Sequence, residues 1–204
     1  PWVIHTIFKG ESSIDEMIGD LEKLSNPTVG LLAHPGQTDI RVTAKADSVA
    51  EAEKMMDPVI AIIREKLGNY IYGENETSLE EAVAGIIDEN DAKLTLIEVG
   101  TRGEIFTRLK KHTPDRVSGE YIDGKISVET LKALMADAHN QQNSTLSLGV
   151  MLASEGDRQD LTLILQAKGA EKIQQRSYGG PPEDGQIWAV NSALDAIRRN
   201  FLNY

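Results

Sequence analysis

The chain has 204 residues and no cysteine, which excludes disulfides, thiolate metal sites and a cysteine nucleophile. Its 21 basic and 32 acidic residues give a net charge of −11, and this argues against nucleic-acid binding, because such surfaces need lysine and arginine to displace phosphate counterions. The hydrophobic content of 40% is typical of a globular protein, and no segment approaches the ~18 apolar residues of a membrane span. We therefore expect a cytoplasmic protein without a membrane or nucleic-acid partner.

Residues 1–76 predict a small α+β domain with the element order β-α-β-β-α. Ser12-Ser13 followed by Glu16 is a capping-box pattern, Ser48 can cap a second helix, and Gly68-Asn69 is a helix stop. The turn residues of His34–Gln37 predict a hairpin. The predicted elements are strands over Trp2–Phe8, Val29–Ala33 and Ile40–Ala46, a helix that Asn26-Pro27 ends, and a helix from Ser48 to Leu67.

Residues 77–204 predict a second domain in which helices and strands alternate. Its first strand, Leu94–Ile97, is an almost unbroken apolar run of the kind that is buried on both faces. This order implies an α/β/α layered sandwich, so the fold class of the whole chain is α/β. Four helices are predicted: one that ends at Ile87, one that ends at Lys111, and two that span Ser127–His139 and Trp188–Leu202. The later strands are predicted over Leu146–Ala153, Leu161–Lys168 and Glu171–Ser177.

The clearest chemical signal is the glycine-rich turn that follows the first strand of the second domain. A turn from a strand into a helix places backbone N–H groups at the carboxyl edge of a sheet, where an anion or phosphate can bind. Thr101 can cap the helix and also hydrogen-bond a ligand, and Arg102 can pair with a phosphate. The same pattern fits a tight connection in which Thr101 is only a cap, so both interpretations stay open.

Common catalytic motifs are absent from the sequence: it has no P-loop, no G-x-G-x-x-G, no H-E-x-x-H and no G-x-S-x-G. The four histidines are separated from one another in sequence, and we predict neither a metal site nor a cofactor. They are His5, His34, His112 and His139.

Most of the chain carries stretches of a known family pattern. In the first domain these stretches are Lys9–Glu16, Asn26–Gly36, Asp39–Ala46 and Leu67–Gly73. They resemble the middle, KH-type domain of the competence/damage-inducible CinA family. Residues 78–103 and 125–202 resemble that family's C-terminal domain, which in active relatives hydrolyses the amide of nicotinamide mononucleotide. The resemblance implies a homo-oligomer, with the family's N-terminal domain as a further partner.

The sequence departs from that pattern at the residue expected to act as nucleophile. Active relatives carry Ala-Glu-Ser-Cys-Thr-Gly-Gly after the first strand of this domain, and the serine is the nucleophile that the resemblance implies. Here Glu98, Thr101 and Gly103 are kept, but Val99 stands at the serine position. A valine side chain has no lone pair with which to attack an amide carbon.

Two further features of active relatives are missing. Their long segment with a tyrosine and a lysine is replaced by the short His112–Asp123, so Tyr121 and Lys125 are not equated with those residues. The family's Gly-Pro-Gly loop is replaced by Met151–Gly156. The KH-type part lacks a Gly-x-x-Gly loop with basic flanks, so its likeness is one of fold and not of nucleic-acid binding.

These departures predict a catalytically degenerate, nicotinamide mononucleotide deamidase-like domain. It would act as a nucleotide-binding or scaffolding module, with a nicotinamide nucleotide or phosphate as ligand and no catalytic residue. The candidate ligand-binding residues are Glu98, Thr101, Arg102 and Gly103. Two alternatives stay open: an active amidohydrolase that uses another nucleophile, such as Ser118, or an activated water, and a purely structural role in an oligomer.

Overall fold

The computed structural model of the chain describes residues 1–202 and divides into two compact units, Pro1–Ser78 and Leu79–Tyr204. The first unit contains one antiparallel sheet with the strand order β2-β3-β1-β4. Ile4, Ile40 and Ile63 are fully buried in the core between this sheet and two helices. The elements are β1 (Trp2–Ile7), α1 (Glu11–Ile18), β2 (Thr28–His34), β3 (Gln37–Thr43), α2 (Val49–Leu67) and β4 (Ile71–Glu74).

The first unit confirms the predicted hairpin and the second helix, and it corrects two details. The α1 helix begins at Glu11 with Gly10 at its N-cap, so the capping box predicted from Ser12-Ser13 and Glu16 is wrong. Helix α1 also ends at Ile18, and a short 3₁₀ turn over Leu21–Lys23 follows it. The strand β4, which pairs with β1, is an addition that the sequence pattern did not predict.

The second unit contains a five-stranded sheet with the order β6-β5-β7-β8-β9. Strands β5, β6 and β7 are parallel, and the β7, β8 and β9 neighbours are antiparallel. The elements are α3 (Leu79–Glu89), β5 (Leu94–Val99), α4 (Glu104–Lys110), β6 (Val117–Ile122), α5 (Val128–Gln142), β7 (Leu146–Glu155), β8 (Arg158–Ala167), β9 (Ala170–Gly179) and α6 (Pro182–Phe201).

Helices cover both faces of this sheet, which confirms the α/β class. Helix α5 packs on β5 and β7, where Ile97 and Val99 meet Leu131 and Met135. On the other face, α6 packs on β7 and β8 and is itself covered by α3 and α4. Alternate residues of β5 therefore point towards α5 or towards α4 and α6.

Helix α6 is enclosed by its neighbours and buries two charged side chains. Every residue from Ala189 to Arg198 is buried, although this stretch includes Asp195 and Arg198. Asp195 is 2% exposed, and its carboxylate lies 2.8 Å from Arg198 Nη2 and 2.6 Å from Arg199 Nε. Pairing of this kind makes burial of charge tolerable. Within residues 1–202, no helix has both the length and the apolar character needed to cross a bilayer.

Candidate functional site

The turn between β5 and α4 is tight and has an unusual backbone. Gly100, Arg102 and Gly103 have φ angles of 83°, 58° and 72°, in the left-handed region that glycine adopts without strain. A Cβ atom at Gly100 would overlap the backbone carbonyl of Leu152 on the neighbouring strand β7. Glycine at position 100 therefore lets the turn lie directly against the end of β7.

Glu98 is fully buried and bonds the beginning of α4. Its carboxylate accepts hydrogen bonds from Thr101 Oγ1 at 2.7 Å, from the N–H of Phe106 at 2.8 Å and from the N–H of Ile105 at 3.2 Å. These donors include two of the N–H groups that a helix leaves unpaired in its first turn. Glu98 and Thr101, both predicted ligand contacts, are thus bonded to each other and to α4.

Burial raises the pKa of the Glu98 carboxyl above its ordinary value of 4.5, while the hydrogen bonds from Thr101, Phe106 and Ile105 oppose this rise. Folding therefore favours the protonated carboxyl. The stabilisation that Glu98 provides is complete below pH 4.5 and is lost as the pH rises through the higher pKa of the folded state.

We expect this pH dependence to disappear in the Glu98→Gln variant, because a glutamine does not titrate. The measurement is urea unfolding of both proteins between about pH 4 and pH 8, followed by Trp188 fluorescence in a Trp2→Phe background. The free energy of unfolding of the parent, minus that of the variant, should fall as the pH rises. A difference that stays constant or grows with pH would contradict the assignment.

Val99 lies on the opposite face of β5 from Glu98. It is 4% exposed and belongs to an apolar cluster with Ile97, Leu131 and Met135. The position at which the family pattern has its nucleophile is therefore part of the hydrophobic core under α5.

Arg102 and Tyr121 are exposed at this edge of the sheet. Arg102 is exposed on the turn, and Tyr121 is 57% exposed near the end of β6. The Tyr121 ring lies beside Gly103, since a Cβ atom at Gly103 would be 3.3 Å from Tyr121 Cδ1. Sequence reasoning missed Tyr121 as part of this site, because β6 was not predicted.

The segment that replaces the family's Gly-Pro-Gly loop is mostly regular strand. Strand β7 continues to Glu155, which pairs with Arg158 of β8, so Gly156 lies in a short turn between two antiparallel strands. Residues 151–155 therefore pair with β8 in the sheet and do not form a loop.

Ser118, the alternative nucleophile, lies at the other end of the parallel strands. Its Oγ is 3.0 Å from Thr95 Oγ1 and 3.4 Å from the carbonyl of Leu94, and none of these groups is a base. The nearby ammonium of Lys110 donates to the backbone carbonyls of Pro114 and Val117. Ser118 thus has no base in its hydrogen-bonding surroundings to take its proton.

Two of the histidines, His5 and His34, share one aspartate, whereas His139 bonds a serine of the second unit. Asp39 lies between His5 Nδ1, at 2.7 Å, and His34 Nε2, at 3.3 Å, and His139 Nδ1 lies 2.7 Å from Ser147 Oγ. Over residues 1–202, no set of three histidine, aspartate or glutamate side chains has an arrangement that could hold a metal ion.

Comparison with known proteins gives the same family for different parts of the chain. Residues 3–73 match the family model described as the damage-inducible protein CinA KH domain. A CinA-like protein of Frankia casuarinae is 30% identical over 229 residues, which cover 97% of this chain and 53% of that protein. A CinA-like protein of Dictyoglomus thermophilum is 46% identical over 101 residues, 49% of this chain and 25% of that protein. The chain thus spans about half or less of the length of these curated relatives.

Solved structures share the fold at low sequence identity. A CinA superfamily protein from Enterobacter cloacae has a TM-score of 0.53 and 14% identity, and the match covers 63% of this chain and 95% of that one. A competence or damage-inducible protein from Enterobacter asburiae has a TM-score of 0.53 and 12% identity, over 62% of this chain and 100% of that one. These matches show the fold alone. The family model and the sequence relatives confirm the predicted resemblance to the CinA family, and the solved structures share its fold.

Proposed function

We propose that the second unit no longer hydrolyses amides and acts as a ligand-binding or scaffolding module within the CinA family. The observation that carries this proposal is the burial of Val99 in an apolar cluster at the position of the family's nucleophile. Amide hydrolysis through a covalent intermediate needs a nucleophilic atom at this point and a base beside it. Neither is supplied by a hydrocarbon side chain packed against Leu131 and Met135.

Two other observations support loss of the reaction. The segment over residues 151–155 continues as a strand where active relatives have a glycine-rich loop. The match with the Frankia protein extends over 229 residues and is therefore longer than the 204-residue chain, so the relative contains insertions that this chain lacks. The short segment His112–Asp123, which precedes α5, agrees with such an insertion in the relative.

The surface that remains suits recognition of a ligand at the carboxyl edge of the sheet. Arg102 offers a guanidinium that can pair with a phosphate, and Tyr121 offers an aromatic face for a planar ring. Glu98 and Thr101 would act by holding the turn in place. We therefore propose a nicotinamide nucleotide, or another phosphate-bearing compound with a planar ring, as the ligand.

Loss of activity can be tested directly with purified protein and nicotinamide mononucleotide. We expect ammonia release no faster than in a buffer blank, while a CinA-family protein that keeps the nucleophilic serine serves as positive control. The Val99→Ser variant should also stay inactive, because the new hydroxyl would lie in the apolar cluster without a base. Steady ammonia release by the parent chain that Ser118→Ala abolishes would contradict the proposal and support an active enzyme with an alternative nucleophile.

Binding of nicotinamide mononucleotide, measured by titration calorimetry, separates a ligand-binding module from a scaffold. We expect Arg102→Gln to weaken binding and Arg116→Gln to leave it unchanged, because Arg116 pairs with Asp91 outside this turn. Absence of binding, together with a defined homo-oligomer in light scattering, would favour the scaffolding role. A cytoplasmic location and partnership with a CinA N-terminal domain remain predictions.

A further inference from the structure

The amino edge of the parallel strands carries a row of three hydroxyl groups. Ser118, Thr95 and Ser147 occupy paired positions on the neighbouring strands β6, β5 and β7, so their side chains lie on the face that α5 covers. We call these three residues the hydroxyl row. Thr95 is separated from Val99 by four residues of β5, or about 13 Å at the usual rise of a strand. The row is therefore remote from the turn that contains Arg102.

Hydrogen bonds connect the hydroxyl row to Ser144, which precedes β7, and to His139 of α5. Thr95 Oγ1 lies 3.0 Å from Ser118 Oγ and also bonds Ser144 Oγ. Ser147, which is fully buried, bonds His139 Nδ1 on α5 at 2.7 Å. A buried hydroxyl thus fixes the orientation of a half-buried imidazole.

Three cavities adjoin this part of the unit. The largest has a volume of about 550 Å³ and is lined by His139, Ser144, Gln166, Lys168 and Glu171, among others. Smaller cavities of about 230 Å³ and 200 Å³ are both lined by Ser118 and by residues near the end of α5. The largest cavity falls within the ~300–1,000 Å³ range of small-molecule sites.

The charges that line the largest cavity favour an anion. Both carboxylate oxygens of Glu171 are already bonded, one by Lys132 Nζ at 2.5 Å and the other by Gln166 Nε2 at 3.0 Å. In the part of the chain that the structure describes, Lys168 has no ion pair, and His139 Nε2 has no hydrogen bond to protein. Lys168 and His139 therefore line this cavity beside a carboxylate that Lys132 neutralises, in a protein whose net charge is −11. When the Ser147 hydroxyl donates to Nδ1, the imidazole carries its proton on Nε2 and can donate it to a ligand.

We propose that this cavity binds the phosphate ester of a small polyhydroxylated compound. The phosphate would accept hydrogen bonds from Lys168 and His139, and the hydroxyl groups of the ligand would bond the polar side chains around Ser144. This site is separate from the ligand site proposed above, since the two lie at opposite edges of the sheet. Ser147 acts as a positioning residue, because it touches the imidazole and not the ligand.

The test uses glycerol 3-phosphate as probe with the full chain, and glycerol as an uncharged comparison. Binding is followed by titration calorimetry, and the bound position by NMR signals of the histidine and tyrosine rings. We expect saturable binding of glycerol 3-phosphate that shifts the His139 signals, with far weaker binding of glycerol. Lys168→Gln should weaken binding by about tenfold, as for loss of one charge-assisted hydrogen bond. His139→Gln should also weaken binding, because it removes the imidazole that Ser147 orients.

Lys125→Gln is the matched control, because it removes the same charge from a residue that lines none of these three cavities. Lys168 and Lys125 are both exposed or half-buried side chains outside the helices, so both variants should fold, and thermal melts verify this. Absence of saturable binding would overturn the proposal, as would equal weakening by Lys168→Gln and Lys125→Gln. Shifts of Tyr121 instead of His139 would also overturn it and would place the phosphate at the carboxyl edge. None of these results depends on whether the chain hydrolyses an amide.

Discussion

Replacing Asp195 with alanine is expected to destabilise the second unit by about 3–5 kcal/mol, the cost of breaking a buried ion pair by removal of one partner. Asp195 and Arg198 are both buried, and the carboxylate contacts the guanidinium groups of Arg198 and Arg199. Helix α6 lies between the sheet and α3, so water cannot replace the lost carboxylate without displacing packed side chains. We expect the urea midpoint of this unit to fall sharply.

The measurement again relies on Trp188, the tryptophan of the second unit, in a Trp2→Phe background. Asp137→Ala is the control, because Asp137 is exposed on α5 and its loss should change the free energy of unfolding by no more than about 0.5 kcal/mol. Equal effects of the two substitutions would show that the contacts of Asp195 do not stabilise the unit.

The second large effect is expected from Gly100→Ala, which should destabilise the same unit by about 3 kcal/mol or more. Alanine at φ 83° is strained in itself, and its Cβ atom would overlap the Leu152 carbonyl, which belongs to a strand and cannot move freely. The turn would have to separate from β7, and Glu98 would lose its alignment with the first turn of α4.

Gly169→Ala separates backbone strain from the steric overlap. Gly169 has a similar φ of 76°, but no atom lies within 4 Å of the position that its Cβ would take. We expect a cost of about 1–2 kcal/mol for this variant, from the left-handed backbone alone. If both variants lost the same stability in urea unfolding, the close approach of Leu152 to Gly100 would have no energetic importance.

Much of the fold follows from local patterns in the sequence. Ser48 was predicted as a helix cap, and it accepts a hydrogen bond from the backbone N–H of Glu51. Ser127 was predicted as the start of a helix, and it accepts a hydrogen bond from the backbone N–H of Thr130 at the beginning of α5. The capping box predicted at Ser12-Ser13 is wrong because β1 ends at Ile7 and the chain turns at once, with Phe8 at φ 75°, which brings Gly10 to the N-cap. The first residue of α1 therefore depends on where β1 ends, which local sequence patterns do not specify.

Strands β4 and β6 could not be predicted because both lie at sheet edges. An edge strand buries few side chains: in β6 only Val117 is buried, and the rest of Ser118–Ile122 shows no apolar alternation. The residues that β6 contributes to the site could therefore not be placed from the sequence. Glu98, Thr101, Arg102 and Gly103 could be proposed from the sequence. The placement of Tyr121 beside Gly103, and of Ser118 beside Thr95, requires the pairing register of β6 with β5.

The enclosed position of α6 has a consequence for biosynthesis. This helix follows all five strands of its sheet in the chain, so Leu148, Leu163 and their neighbours have no apolar cover until residues 189–198 have left the ribosome. Nascent chains that stall earlier would present a hydrophobic sheet face, which is the kind of surface that chaperones bind and that promotes aggregation. The second unit should therefore reach its native state only after residues 189–198 have been synthesised.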